Sequence, residues 1–161
     1  MKTIILAGGC FWGVEAYYQQ IDGVVETEVG YADGPFKNPS YEQVCTASGH
    51  VEAVKLTYDE TVVEFETLVD HFFNIVDPTA VNRQGNDIGS QYRTGFYNLD
   101  DEDEATLRSI FALKASEYSK PLAIEIKSGV HYDAAEGYHQ NYLQKNPNGY
   151  CHINLASVKD V

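Results

Sequence analysis

The hydrophobic pattern alternates between strand and helix periods along the chain. Residues 3–7 form a β-branched, apolar run that stops at Gly8-Gly9, which predicts a short buried strand. Phe11, Val14, Tyr18 and Ile21 then recur at helical spacing, predicting a helix that Gly23 closes. Residues 24–31 and 51–58 read as a second and a third strand. Phe65, Leu68, Val69, Phe72, Phe73 and Val76 give the clearest amphipathic helix, followed by Pro78, which cannot continue it. A strand is expected over 92–97, a helix opened by the acidic run 100–104, a last strand over 123–128, and a short helix around 134–143. Acidic residues at a helix start are favourable for its dipole.

Helices that each rejoin a sheet point to an α+β fold, a two-layer α/β sandwich with a split β-α-β (ferredoxin-like) core. The 161 residues suit one domain at roughly 100–200 residues each, so 1–161 is read as a single catalytic domain. The polar stretches 32–40 and 77–91 are longer than ordinary turns and are read as functional loops. Residues 146–161 are read as an irregular, mobile C-terminal tail.

Composition narrows the field. Apolar residues make up 43% of the chain and the formal net charge is −13. That sign repels phosphate backbones and anionic headgroups, so neither nucleic acid nor membrane is an expected partner. The N-terminal apolar run, Ile4 to Ala7, falls short of the roughly 7–15 residues of an export signal, and a cytoplasmic protein is expected. Three cysteines, Cys10, Cys45 and Cys151, are too few and too dispersed for a disulfide scaffold. They contain no Cys-x-x-Cys pair, so no metal is expected.

Cys10 carries the candidate chemistry. It follows a strand and two glycines and heads a helix, where unpaired N–H groups and partial positive charge favour a thiolate. Phe11 and Trp12, the only tryptophan, stand beside it, and sulfur packs well on aromatic edges. Glu15, further along, is read as a local capping or pairing residue.

These residues open a longer pattern. Gly9-Cys10-Phe11-Trp12-Gly13 resembles the active-site motif of the peptide methionine sulfoxide reductase A family. Pro39-Ser40-Tyr41-Glu42-Gln43-Val44-Cys45 and Gly49-His50-Val51-Glu52 resemble its next blocks. Asp77-Pro78-Thr79, Asn82-Arg83-Gln84-Gly85-Asn86-Asp87, Gly89-Ser90-Gln91-Tyr92-Arg93, Glu136-Gly137-Tyr138-His139-Gln140 and Gly149-Tyr150-Cys151 complete the series in order. The sequence departs from the family around Ser48 and in the loop 33–37, which bears on substrate range rather than on the reaction.

The resemblance implies reduction of methionine-S-sulfoxide, free or in proteins, to methionine, with no cofactor beyond thiols. Cys10 matches the nucleophile that becomes a sulfenic acid. Glu52 matches the acid for the sulfoxide oxygen, for which burial should raise its pKa. Tyr41 and Tyr92 match phenols that share that oxygen. Phe11 and Trp12 match the residues around the S-methyl group, and Asp87 matches a further polar residue of the pocket. Cys151 matches the resolving thiol, giving a Cys10–Cys151 disulfide that thioredoxin reduces. Cys45 is read as structural. Two other readings of the residues remain: a cysteine-dependent acyl-transfer enzyme with His50 or His139 as base, and a redox-regulated binding protein.

Overall fold

The computed structural model describes residues 1–161. The elements run β1 (Lys2–Gly8), α1 (Phe11–Tyr18), β2 (Val24–Ala32), α2 (Tyr41–Cys45), β3 (Val51–Tyr58) and α3 (Phe65–Ile75). There follow a small hairpin of β4 (Arg83–Gln84) and β5 (Asp87–Ile88), then β6 (Thr94–Tyr97) and α4 (Asp101–Lys114). The chain closes with β7 (Glu125–Lys127), β8 (Tyr132–Ala134) and α5 (Tyr142–Lys145).

The main sheet has six strands in the order β7-β6-β1-β3-β2-β8. β3 is antiparallel to both β1 and β2, and β6 is antiparallel to β1. Strands β1 and β2 are therefore parallel with β3 inserted between them, the split β-α-β arrangement expected from the alternating periods. The short edge strands extend this core, β7 parallel to β6 and β8 antiparallel to β2.

Strand alternation sorts the side chains into two layers. Ile4 and Leu6 of β1 and Val54, Leu56 and Tyr58 of β3 join Val14, Tyr17, Tyr18, Leu68, Phe72 and Phe96 in the larger apolar cluster, under α1 and α3. Ala7, Val51, Ala53 and Tyr97 form a thinner cluster on the opposite face. Glu52 shares the parity of Val54 and Leu56, so it points into the helix-covered layer. That placement excludes the solvated face a glutamate ordinarily takes.

Three expectations shift. Tyr92 ends a 3-10 turn, Ser90–Tyr92, and the strand begins only at Thr94. The helix expected around 134–143 divides into the end of β8, a 3-10 turn at Gly137–His139, and α5. Its residues bond outward to several other segments instead of forming one periodic face. Helix α2 was unannounced by hydrophobic period, because its five residues bury only Val44. Ser40 and Gln43 form a reciprocal capping box that starts it, a device that satisfies two otherwise orphaned backbone donors. Within the tail, Ile153 reaches the main core and residues Leu155–Asp160 form a 3-10 turn.

Candidate active site

β1 delivers Cys10 to the start of α1 through Gly9, whose φ is +92°. A Cβ at Gly9 would lie 2.8 Å from the Gln84 Cβ, so both conformation and space require glycine. Cys10 is the N-cap of α1; its side chain makes no capping hydrogen bond, but the backbone N–H groups of Trp12 and Gly13 face the thiol and favour its charged form.

This helix start does not lower the thiol pKa as its position alone suggests. Cys10 is buried, and burial, followed by the negative charge of Glu52, pushes its thiol far above the ordinary value against those two N–H groups. The magnitudes decide the outcome. A helix terminus is worth about 0.3–1 kcal/mol, up to about 2, whereas full burial moves a pKa by up to about 3–5 units at 1.36 kcal/mol each. Desolvation wins, and Cys10 rests as a thiol.

Glu52 lies opposite Tyr31 in the β2–β3 ladder. It is 1% exposed, and its Oε1 accepts the Phe11 N–H at 3.1 Å. Burial raises its pKa to about 8, the Phe11 bond pulling the other way and Asp87 adding to the rise. A carboxyl in this state holds a proton at neutral pH and can donate it.

An aromatic wall stands beside the thiol. The Phe11 ring centroid is 5.7 Å from that of Tyr31 and 5.2 Å from that of His139. The Trp12 indole stacks on Tyr142 at 3.9 Å with 9° between planes, and its Nε1–H donates to His139 Nδ1 at 3.0 Å. His139 is buried, and burial lowers its pKa. It therefore accepts from Trp12 as a neutral imidazole. The Tyr41 ring lies 4.3 Å from His139. Glu136 holds this corner by accepting the Tyr31 hydroxyl at 2.8 Å and the Tyr41 N–H at 3.0 Å.

The remaining candidates arrive on loops. The Arg93 guanidinium donates to the Ser90 carbonyl and the Gly49 carbonyl, each at 2.8 Å. It thereby ties the turn carrying Tyr92 to the approach to β3. Burial raises the phenol pKa of both Tyr41 and Tyr92, and the Glu52 charge adds to both. Each is thus held as a protonated donor. Asp87, on β5, accepts the Tyr150 hydroxyl at 2.8 Å. Its charge acts on Cys10, Glu52 and Tyr92.

Cys151 is a free thiol over the first turn of α1. Its Sγ donates to the Ile153 carbonyl at 3.2 Å and lies 3.1 Å from where a Gly13 Cβ would stand. Cys45, expected to be structural, is exposed instead, because α2 turns only Val44 into the core. No histidine hydrogen-bonds Cys10. His50 bonds Ser48 and the Phe36 carbonyl, His152 bonds the Gly8 carbonyl, and His139 is committed to Trp12. The acyl-transfer reading thus lacks its base.

The sequence had singled out Cys10, Phe11, Trp12, Tyr41, Glu52, Asp87 and Tyr92, and the structure brings them into one region. Tyr31, Tyr142 and Tyr150 escaped notice as site-building residues, since their roles are contacts across the fold. The block 136–140 was the available signal for Glu136 and His139.

A buried thiol beside a protonated carboxyl, two phenols and an aromatic wall, with a second free thiol close by, is the equipment of a thiol-dependent oxidoreductase. Comparison with known proteins fixes which kind. The family model for peptide methionine sulfoxide reductase matches residues 2–161. The peptide methionine sulfoxide reductase MsrA of Alkaliphilus metalliredigens (strain QYMF) is 54% identical over 156 residues, covering 96% of this chain and 99% of that protein. Methionine sulfoxide reductase A of Corynebacterium diphtheriae superposes with a TM-score of 0.88 at 37% identity, over 93% of this chain and 77% of that one. Mxr1 from Saccharomyces cerevisiae in complex with Trx2 gives a TM-score of 0.60 at 26% identity, over 88% and 84% of the two chains. The chain belongs to the peptide methionine sulfoxide reductase family.

Proposed function

We propose that the protein reduces methionine-S-sulfoxide, free or within proteins, to methionine, with Cys10 as nucleophile and Glu52 as acid. The observation that supports this most is the buried Glu52 carboxyl, which accepts the N–H of Phe11, the residue after Cys10, and whose pKa burial raises to about 8. The S-methyl group packs against Phe11 and Trp12. The sulfoxide oxygen takes hydrogen bonds from Glu52, Tyr41 and Tyr92, donors aimed at the charge that develops there. Glu52 gives its proton to that oxygen, which makes the substrate sulfur electrophilic, and the Cys10 proton passes to the Glu52 carboxylate so formed as the Cys10 sulfur attacks. The S–O bond breaks, oxygen ends on Cys10 as a sulfenic acid, and the thioether departs. Asp87 and Tyr150 shape the polar rim.

Cys151 then attacks the Cys10 sulfenic acid, giving a disulfide and water. The tail from residue 146 moves to bring the two sulfurs together. Thioredoxin reduces this disulfide, a reading that the Trx2 complex of Mxr1 supports by likeness. The setting in this reading is cytoplasmic. No helix is long and apolar enough to cross a membrane.

The test is turnover of a methionine-S-sulfoxide peptide with dithiothreitol and then with thioredoxin. Methionine release from the S epimer is expected with both, and failure with both overturns the reading. A redox-regulated binding protein would show no release.

A further inference from the structure

Glu15 is a buried carboxyl for which the chemistry above has no use. It projects from α1, 2% exposed, and reaches two other segments. Its Oε2 accepts the Thr27 hydroxyl at 2.8 Å, and its Oε1 accepts the backbone N–H of Asn141 at 2.8 Å. These partners lie far along the chain, so Glu15 is not the local cap its position suggested. Gln19, one turn on, braces the same point. Its Nε2 donates to Asn141 Oδ1 at 2.7 Å and to Thr27 Oγ1 at 3.0 Å, while its Oε1 accepts from Gln144 at 3.0 Å.

Asn141 adopts the left-handed conformation, φ +54° and ψ +36°, which non-glycine residues rarely take. The chain turns there, at the residue before Tyr142, the ring stacked on Trp12. The N–H that Glu15 holds is thus the last fixed point before that stack. On the other side of the turn, the Gln140 side chain is bonded to the Val29 N–H at 2.9 Å and to the Val29 carbonyl at 2.8 Å. Removing the carboxyl leaves the Asn141 N–H and the Thr27 hydroxyl without this acceptor in a half-buried setting, where an unmet donor is costly.

We propose that Glu15 is a positioning residue: it holds the Asn141 turn, seats Tyr142 against Trp12, and so keeps the methyl-binding wall in place. The proposal rests on Trp12 lining the substrate pocket. A glutamine can still accept the Asn141 N–H, whereas an alanine cannot.

Trp12 is the only tryptophan, so its emission reports the stack directly. Glu15→Ala is expected to change that emission in the same sense as Tyr142→Ala. KM for a methionine-S-sulfoxide peptide should rise about tenfold with kcat changed less than about twofold, the signature of lost binding rather than lost chemistry. Glu15→Gln should stay near wild type in both. Leu107→Ala, a remote core truncation, should lower Tm without moving the emission. Wild-type emission and KM in Glu15→Ala overturn the proposal, as does a Glu15→Gln protein that behaves like Glu15→Ala. Should Glu15→Ala fail to fold, amide exchange in the wild type decides. A protected Asn141 N–H supports the clamp and a freely exchanging one overturns it. A Trp12→Ala enzyme with unchanged KM instead overturns the pocket reading, and the emission of Glu15→Ala still tests the clamp by itself.

Discussion

Cys10 and Glu52 stand on β1, α1 and β3, whose places follow from repeated apolar periods and a shared core. Residues 135–153 are held by other means. Gln140 bonds the edge of β2, Asn141 meets Glu15, His139 receives Trp12, and from the tail Ile153 is buried in the core while Cys151, Leu155 and Val158 pack only partly buried against it. Burial spread over many side chains makes the first region insensitive to any single contact. In the second region each polar bond holds one turn, and elements with few apolar contacts open at low free-energy cost. The rigid region carries the atoms that must be aligned to react. The tethered one carries Cys151, which must travel to meet Cys10 in the proposed cycle.

Breaking the rigid half should have the largest effect. Cys10→Ser is expected to abolish methionine release from an S-sulfoxide peptide under any thiol reductant. Measurable steady turnover would remove Cys10 from the chemistry. Glu52→Gln should slow single-turnover methionine formation by about 10²–10⁴-fold, the usual worth of a general acid, and an unchanged rate would exclude it.

A break in the tethered half should leave the first reduction intact. Cys151→Ser is expected to release about one methionine per enzyme and then stall with thioredoxin, the stoichiometry of a sulfenic acid that cannot be resolved. Sustained thioredoxin-driven turnover would pass the resolving role to another thiol, with the exposed Cys45 the first to examine. A smaller loss, about tenfold in single turnover, is expected for Tyr92→Phe, because Glu52 and Tyr41 still bond the oxygen.

The mildest effect concerns pH. The folded Glu52 pKa, about 8, lies above its ordinary value of 4.5. Between those values the folded protein holds a proton that the unfolded chain has lost. Stability therefore falls as pH rises through this window and is greatest below it. Tm in the wild type should decline correspondingly, and Glu52→Gln should flatten that part of the profile. The reduction step should also fall as pH passes about 8, when Glu52 gives up the proton it donates.

Much of the frame was legible because it depends on local repetition. The β-branched apolar run of β1, the strand-like segments of β2 and β3 and the helical stripe from Phe65 to Val76 placed the split β-α-β core. Helix α2 was not expected: it has no apolar period, and its start rests on the Ser40–Gln43 capping box found in the structure. The expected helix over 134–143 failed because no apolar stripe dictates that segment. Its course is set by Glu15, Val29 and Trp12, whose backbone and side-chain groups it meets only after folding.

The sequence by itself determined that a cysteine would head the first helix, which aromatic residues would flank it, and that Glu52 would lie on a strand. Those are properties of neighbours a few positions apart. Only the tertiary structure decided that Cys10 rests as a thiol, that Glu52 keeps its proton to about pH 8, and that Glu15 reaches Asn141 rather than a local partner. Desolvation and charge coupling depend on what the whole fold packs around a group, and no local pattern encodes that.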